Sequence, residues 1–140
     1  MRSLATMTLM IMCVAQVHAA DAPIERHYGG PWQKEIGYAG VAQVGNTLYV
    51  SGVACSGENM QAAVAQCYQT IEKLLSEYKA TADNIIKENV YTVDIEALKK
   101  CIPDRKMFYK NANYPAATWV QVSRLFDPKH LLEIELVVQL

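Results

Sequence analysis

The sequence predicts an α+β domain with its helices on one face of a sheet, and three observations lead there. Val64, Tyr68, Ile71, Leu75 and Tyr78 recur at three- and four-residue steps, the apolar stripe of an amphipathic helix. Two C-terminal segments, Ala117 to Leu125 and Leu131 to Gln139, alternate in side-chain character with period two, as strands do. Between two further apolar runs stands Gly45-Asn46, a two-residue hinge able to take positive φ, which reads as a β-hairpin.

Taken in order, Asp21 to Trp32 contains Pro23, Gly29, Gly30 and Pro31 and reads as an irregular lead-in with one short strand. Tyr38 to Val44 and Thr47 to Ser51 form the hairpin. Gly57-Glu58-Asn59 closes the next loop, and Asn59 can cap the helix that follows. Ile85 to Val93 is a strand of weak alternation. A second helical region runs from about Glu96 to Lys110, where Pro103 removes a backbone donor and should kink the helix or restart it. In the final strands Thr118, Val120 and Val122 oppose Ala117, Trp119 and Gln121, and Leu132, Ile134, Leu136 and Val138 oppose Glu133 and Glu135. The predicted uncovered face carries Tyr49, Ser51, Trp119, Gln121 and Glu133. Large aromatic and polar groups together on such a face point to cover by another subunit.

The N-terminus reads as an address. Arg2, the apolar run Leu4 to Val14, and the small residues of Val17-His18-Ala19 fit an export signal cut after Ala19. Residues 1–19 are thus expected to be a signal peptide and 20–140 the domain, periplasmic or secreted. The apolar run is too short to span about 30 Å of hydrocarbon, so no membrane association is expected after cleavage. Cleavage removes Arg2 alone among charged residues and takes the formal charge from −1 to −2. That balance lacks the basic footprint of a nucleic-acid binder, and Lys99-Lys100 is read as solvent-facing. Cys55, Cys67 and Cys101 remain, enough for at most one internal disulfide. Cys67 and Cys101, one on each helical region, read either as buried thiols or as a helix-to-helix bridge. No cysteine or histidine spacing suits a metal; His27 and His130 lie far apart, and no metal or other cofactor is expected.

Gly45-Asn46-Thr47-Leu48-Tyr49-Val50-Ser51-Gly52, together with Tyr114-Pro115-Ala116-Ala117-Thr118-Trp119-Val120-Gln121-Val122 and Glu133-Ile134-Glu135, resembles the Rid family of reactive intermediate deaminases, also called YjgF or L-PSP. The resemblance covers about residues 33 to 139. It implies a chorismate-mutase-like fold, a six-stranded mixed sheet with two helices on one face, and homotrimers with small-molecule clefts between subunits. It also implies roles. Tyr38 lines the pocket, Ser51 and Gly52 end the cleft strand, and Glu133 orients the attacking water. Ala117, Trp119 and Gln121 lie on the segment that carries substrate contacts.

Three positions depart from the family pattern. Ala117 replaces the arginine that grips the carboxylate of a 2-imino acid, Trp119 replaces a cysteine or its equivalent, and Ile102 replaces a cleft asparagine. A guanidinium fits a carboxylate bidentately and alanine cannot. Losing one such buried contact costs about 2–5 kcal/mol. Residue by residue, bland readings stand beside the functional ones. Glu133 can bond a neighbouring subunit, Tyr38 can pack an interface, Ser51 can satisfy a strand end, and Trp119 can fill space. Two functions follow: hydrolysis of an imine, enamine or related C=N compound lacking the usual carboxylate, or non-catalytic binding of a ligand or protein by a chaperone-like trimer.

Overall fold

The computed structural model describes residues 22–140; the expected signal peptide and its cleavage point lie outside the described residues. Six strands form one sheet: β1 Ile24–His27, β2 Val41–Val44, β3 Thr47–Cys55, β4 Ile85–Thr92, β5 Ala116–Gln121 and β6 Leu132–Gln139. Their order across the sheet is β1-β2-β3-β6-β4-β5. Every neighbouring pair is antiparallel except β4 with β5, which is parallel. A parallel pair needs a long crossover. Helices α3, Ile95–Lys100, and α4, Ile102–Phe108, supply it.

The core lies between the sheet and helix α2, Met60–Glu77. Leu48 and Val50 of β3, Val90 of β4, and Leu132, Ile134, Leu136 and Val138 of β6 meet Ala63, Val64, Cys67, Ile71 and Leu75 of α2 in one buried cluster. Burying each large aliphatic side chain contributes about 1.5–3 kcal/mol. The N-terminus of α2 is capped by Asn59, whose side chain accepts from the Ala62 amide at 2.9 Å. Gly45 turns the β2–β3 hairpin at φ 56°, where a side chain would be strained.

The second helical region restarts at Pro103, one of the two outcomes expected: α3 ends at Cys101, and Pro103 sits in the first turn of α4, where its missing amide proton costs nothing. Three expectations need correction. The lead-in holds an unforeseen helix, α1, Pro31–Ile36, begun by a first-turn proline and ended by Gly37 at φ 98°. β5 stops at Gln121 and does not run on to Leu125. Most consequentially, Trp119 and Gln121 do not share the face of Tyr49, Ser51 and Glu133. Ala117, Trp119 and Gln121 register with Glu88, Val90 and Thr92, all buried beneath the helices, so they lie on the helix face. Gln121 Oε1 accepts from the Ile95 amide of α3, while Thr118, on the open face, accepts from Lys87 Nζ. Both faces of this short edge strand are mixed in character, so alternation alone could not tell inside from outside.

Cys55 and Cys67 form a disulfide that ties the end of β3 to α2, and Cys101 is a free buried thiol. The helix-to-helix bridge is therefore not made. Among the described residues no helix is long and apolar enough to cross a membrane.

Candidate functional site

The floor of the candidate site is an irregularity in β3. Val50 pairs with Leu136 and Val53 with Ile134, so Ser51 and Gly52 together oppose Glu135 in a bulge. The extra residue bends β3 and turns Ser51 and Gly52 toward the open face. Ser51 is fastened twice to the loop after α1: its amide donates to Gly40 O at 2.9 Å and its hydroxyl to Ala39 O at 2.7 Å. With its proton engaged, Ser51 Oγ offers only lone pairs to a ligand.

Glu133 lies over Gly52. A methyl group at Gly52 would overlap the Glu133 carboxylate and come within 2.6 Å of its Cγ. Gly52 has no positive φ, so this glycine is there for space and not for conformation. Glu135, two residues on, is engaged by Asn89 Nδ2 and Tyr91 Oη, each at 3.1 Å. Burial, and then the hydrogen bond to Glu135, hold the Tyr91 phenol above its ordinary pKa.

Around this floor stands an open cleft of about 690 Å³. One wall comes from α1 and the turn after it, with Trp32, Ile36 and Tyr38; the other comes from the β5–β6 loop, with Phe126, Asp127 and His130. Trp32 and Tyr38 meet edge to face at 5.7 Å. Asp127 Oδ1 accepts from the Lys129 amide at 2.9 Å, and its carbonyl from the His130 amide at 3.1 Å, which fixes the loop. His130 Nδ1 is buried with no hydrogen-bond partner among the described residues. Among the described residues no group of three or more histidine, cysteine or acidic side chains is placed to hold a metal ion.

Of the residues the sequence singled out, Tyr38, Ser51, Gly52 and Glu133 converge in this cleft. Ala117, Trp119 and Gln121 stand apart, on the edge strand and the opposite face. Trp119 is half-buried beneath α4, with the Arg105 guanidinium 5.5 Å from its ring. Arg105 in turn binds fully buried Glu88 through Nε at 2.8 Å and Nη2 at 2.7 Å. The other Glu88 oxygen accepts from Tyr68 Oη at 2.9 Å and Tyr109 Oη at 3.1 Å. Burial works against the Arg105 charge, but Glu88 outweighs it and holds the guanidinium above its ordinary pKa. Burial first, and Glu88 second, push both phenols well above theirs. Ala117 registers directly with Glu88. The arginine missing at 117 is thus not replaced from α4, because the charge on Arg105 is already neutralised.

Sequence reading missed Trp32, Ile36, Phe126 and Asp127 as cleft residues, and considered His130 only as a metal ligand. One signal was available: Pro31 opening a helix, with Trp32 and Ile36 four residues apart on one face.

The model of the family described as endoribonuclease L-PSP matches residues 33–140, most of the chain. The chain belongs to the L-PSP family. Solved structures agree on the fold. A YjgF/YER057c/UK114 family member from Mycobacterium tuberculosis, Rv2704, superposes with a TM-score of 0.75 at 22% identity, covering 84% of this chain and 100% of that one. The YjgF-family protein NMB1025 from Neisseria meningitidis gives 0.73 at 18% identity, covering 84% and 95%. The Rid-family protein YyfA from Yersinia pestis gives 0.69 at 21% identity, covering 74% and 88%. No curated protein matches the chain by sequence. The expected six-stranded mixed sheet of the L-PSP fold is met, with the helix corrections given above.

Proposed function

We propose that this L-PSP protein is exported, assembles as a homotrimer, and binds a small molecule at clefts between subunits, where it hydrolyses an imine, enamine or related C=N compound. The observation that carries this reading is the seating of Glu133 on Gly52, beside Ser51 and Tyr38, in one open cleft. A carboxylate so placed can hold a water molecule against an electrophilic carbon. Water adds to the C=N carbon as Glu133 takes one of its protons. That proton passes to nitrogen and gives a carbinolamine; its hydroxyl proton then follows to nitrogen as the C–N bond breaks, and a carbonyl compound and ammonia leave.

Classical 2-imino acids fit this cleft poorly, because its lining holds no lysine or arginine among the described residues to grip their carboxylate. Phosphodiester ligands fit no better: the cleft lining holds Asp127 and Glu133 and no lysine or arginine among the described residues. Assembly is supported by the open sheet face, where Tyr49 remains 51% exposed. Export is supported by the Cys55–Cys67 disulfide, a bond that persists in oxidising compartments. The alternative, a non-catalytic ligand- or protein-binding trimer, is favoured by one observation, the use of the Ser51 hydroxyl as a fastener.

Ammonia release from a panel of imines generated in situ separates the two readings. Turnover abolished by Glu133→Ala is expected, and no turnover from any imine leaves the binding module. Light scattering should give three chains per particle; a stable monomer at micromolar concentration overturns the intersubunit cleft.

A further inference from the structure

The charged side chains that line the cleft are carboxylates, and the donors beside them, the Trp32 indole and the Tyr38 phenol, are neutral. Glu133 and Asp127 are carboxylates, and Asp127 keeps one oxygen free of the Lys129 amide. The Ser51 hydroxyl has given its proton to Ala39 O and presents lone pairs. His130 is the one basic side chain along the wall among the described residues, and its Nδ1 is buried. The apolar part of the wall is aromatic. Trp32 stands edge to face with Tyr38 and is half-exposed, and Phe126 across from them is 80% exposed. Ring faces attract cations through their quadrupole, and do so most where carboxylates supply the countercharge. An anion would meet two like charges with no lysine or arginine in the lining, among the described residues, to offset them.

We infer that the cleft selects an organic cation, a protonated primary amine or iminium carrying a flat apolar group, with Trp32, Tyr38 and Phe126 about the apolar part and Glu133 and Asp127 about the nitrogen. The inference rests on the cleft assigned under the proposed function and names its substrate class: an iminium is the protonated form of the C=N group that water attacks. It reverses the charge preference that a carboxylate-gripping arginine would impose.

Calorimetric titration of the assembled full chain with three probes tests it: phenethylammonium, the neutral 3-phenylpropanol and the anion 3-phenylpropanoate. The cation should bind at least tenfold more tightly than the anion. Glu133→Gln and Asp127→Asn should each erode that preference, and Phe126→Ala should weaken the cation and the alcohol together. Should Glu133→Gln fail to fold, Asp127→Asn alone carries the charge test. Binding of the anion as tight as that of the cation, or cation affinity unchanged in both carboxamide variants, overturns the inference. Cation preference without ammonia release from any imine supports the inference and removes hydrolysis. Glu133-dependent deamination of 2-iminobutanoate with preference for the anion overturns the inference and keeps hydrolysis.

Discussion

Replacing Gly52 with alanine should separate function from stability more cleanly than any change to Glu133 itself. The backbone at Gly52 suits any residue, so alanine brings no conformational strain. What it brings is volume: the new methyl would lie 2.6 Å from Glu133 Cγ, well inside van der Waals contact, and on top of the carboxylate. Glu133 must then rotate about its first side-chain torsion, which carries the carboxylate off the cleft floor by more than about 1 Å. Misplacing a reacting group by about 1 Å costs on the order of 100-fold in rate, or about 2.7 kcal/mol of barrier. The displaced group is the free end of a half-buried side chain, so stability should fall by less than about 1 kcal/mol. Ammonia release from the best imine, phenethylammonium titration and urea unfolding together provide the assay. Expected are a loss of about two orders of magnitude in turnover, an unfolding midpoint close to that of the wild type, and no further loss when Glu133→Ala is added. Turnover within threefold of the wild type would show that Gly52 does not seat the carboxylate. A stability loss above about 3 kcal/mol would show that the glycine serves packing.

The buried ion pair makes a second forecast. Arg105→Met leaves Glu88 charged and unpaired and should cost about 3–5 kcal/mol in urea unfolding, while Arg105→Met with Glu88→Leu should recover most of it. Because the Tyr68 and Tyr109 phenols titrate above their unfolded value of about 10, the stability they contribute is complete below that pH and declines as pH rises beyond it. Thermal melts taken from pH 8 to 11 should therefore fall steeply at the alkaline end, and less so in Tyr109→Phe. Breaking the disulfide in a Cys55→Ser, Cys67→Ser double variant should lower stability by about 2–4 kcal/mol, measured against the oxidised wild type. Deamination of 2-iminobutanoate by the wild type should stay near background, because the cleft lining holds no lysine or arginine among the described residues.

Where one periodicity dominated, the sequence was legible. The α2 stripe was buried at Val64, Tyr68, Ile71 and Leu75 as its spacing required, and β6 buried each even-numbered residue from Leu132 to Val138. Pro103 and Asn59 acted as their chemistry dictates. β5 failed for a physical reason: at a sheet edge neither face is fully apolar, and Trp119 packs through its ring against a guanidinium whose partner, Glu88, lies remote in sequence. No local pattern announces a carboxylate buried in the core, since its satisfaction comes from Tyr68, Arg105 and Tyr109 on two different helices and the turn beyond. In the cleft, Ser51 and Gly52 at the β3 bulge and Glu133 on β6 followed from resemblance, although the strand expected to end at Ser51 runs on to Cys55. The walls came from α1 and the β5–β6 loop, where spacing is irregular and only tertiary structure brings Trp32 to Phe126.

The bond between Cys55 and Cys67 also bears on how the chain reaches its native state. Among the described residues three thiols allow three possible pairings, and the native pair is separated by only 12 residues, the nearest two of them along the chain. Short closures form early and at low entropic cost. The correct crosslink can therefore be set while little more than the β3–α2 unit has emerged, before Cys101 arrives. Once α3 and α4 close over it, Cys101 is 5% exposed and burial raises its pKa, which starves it of the thiolate that disulfide exchange requires. Cys101 is thereby kept out of exchange by burial in the finished fold.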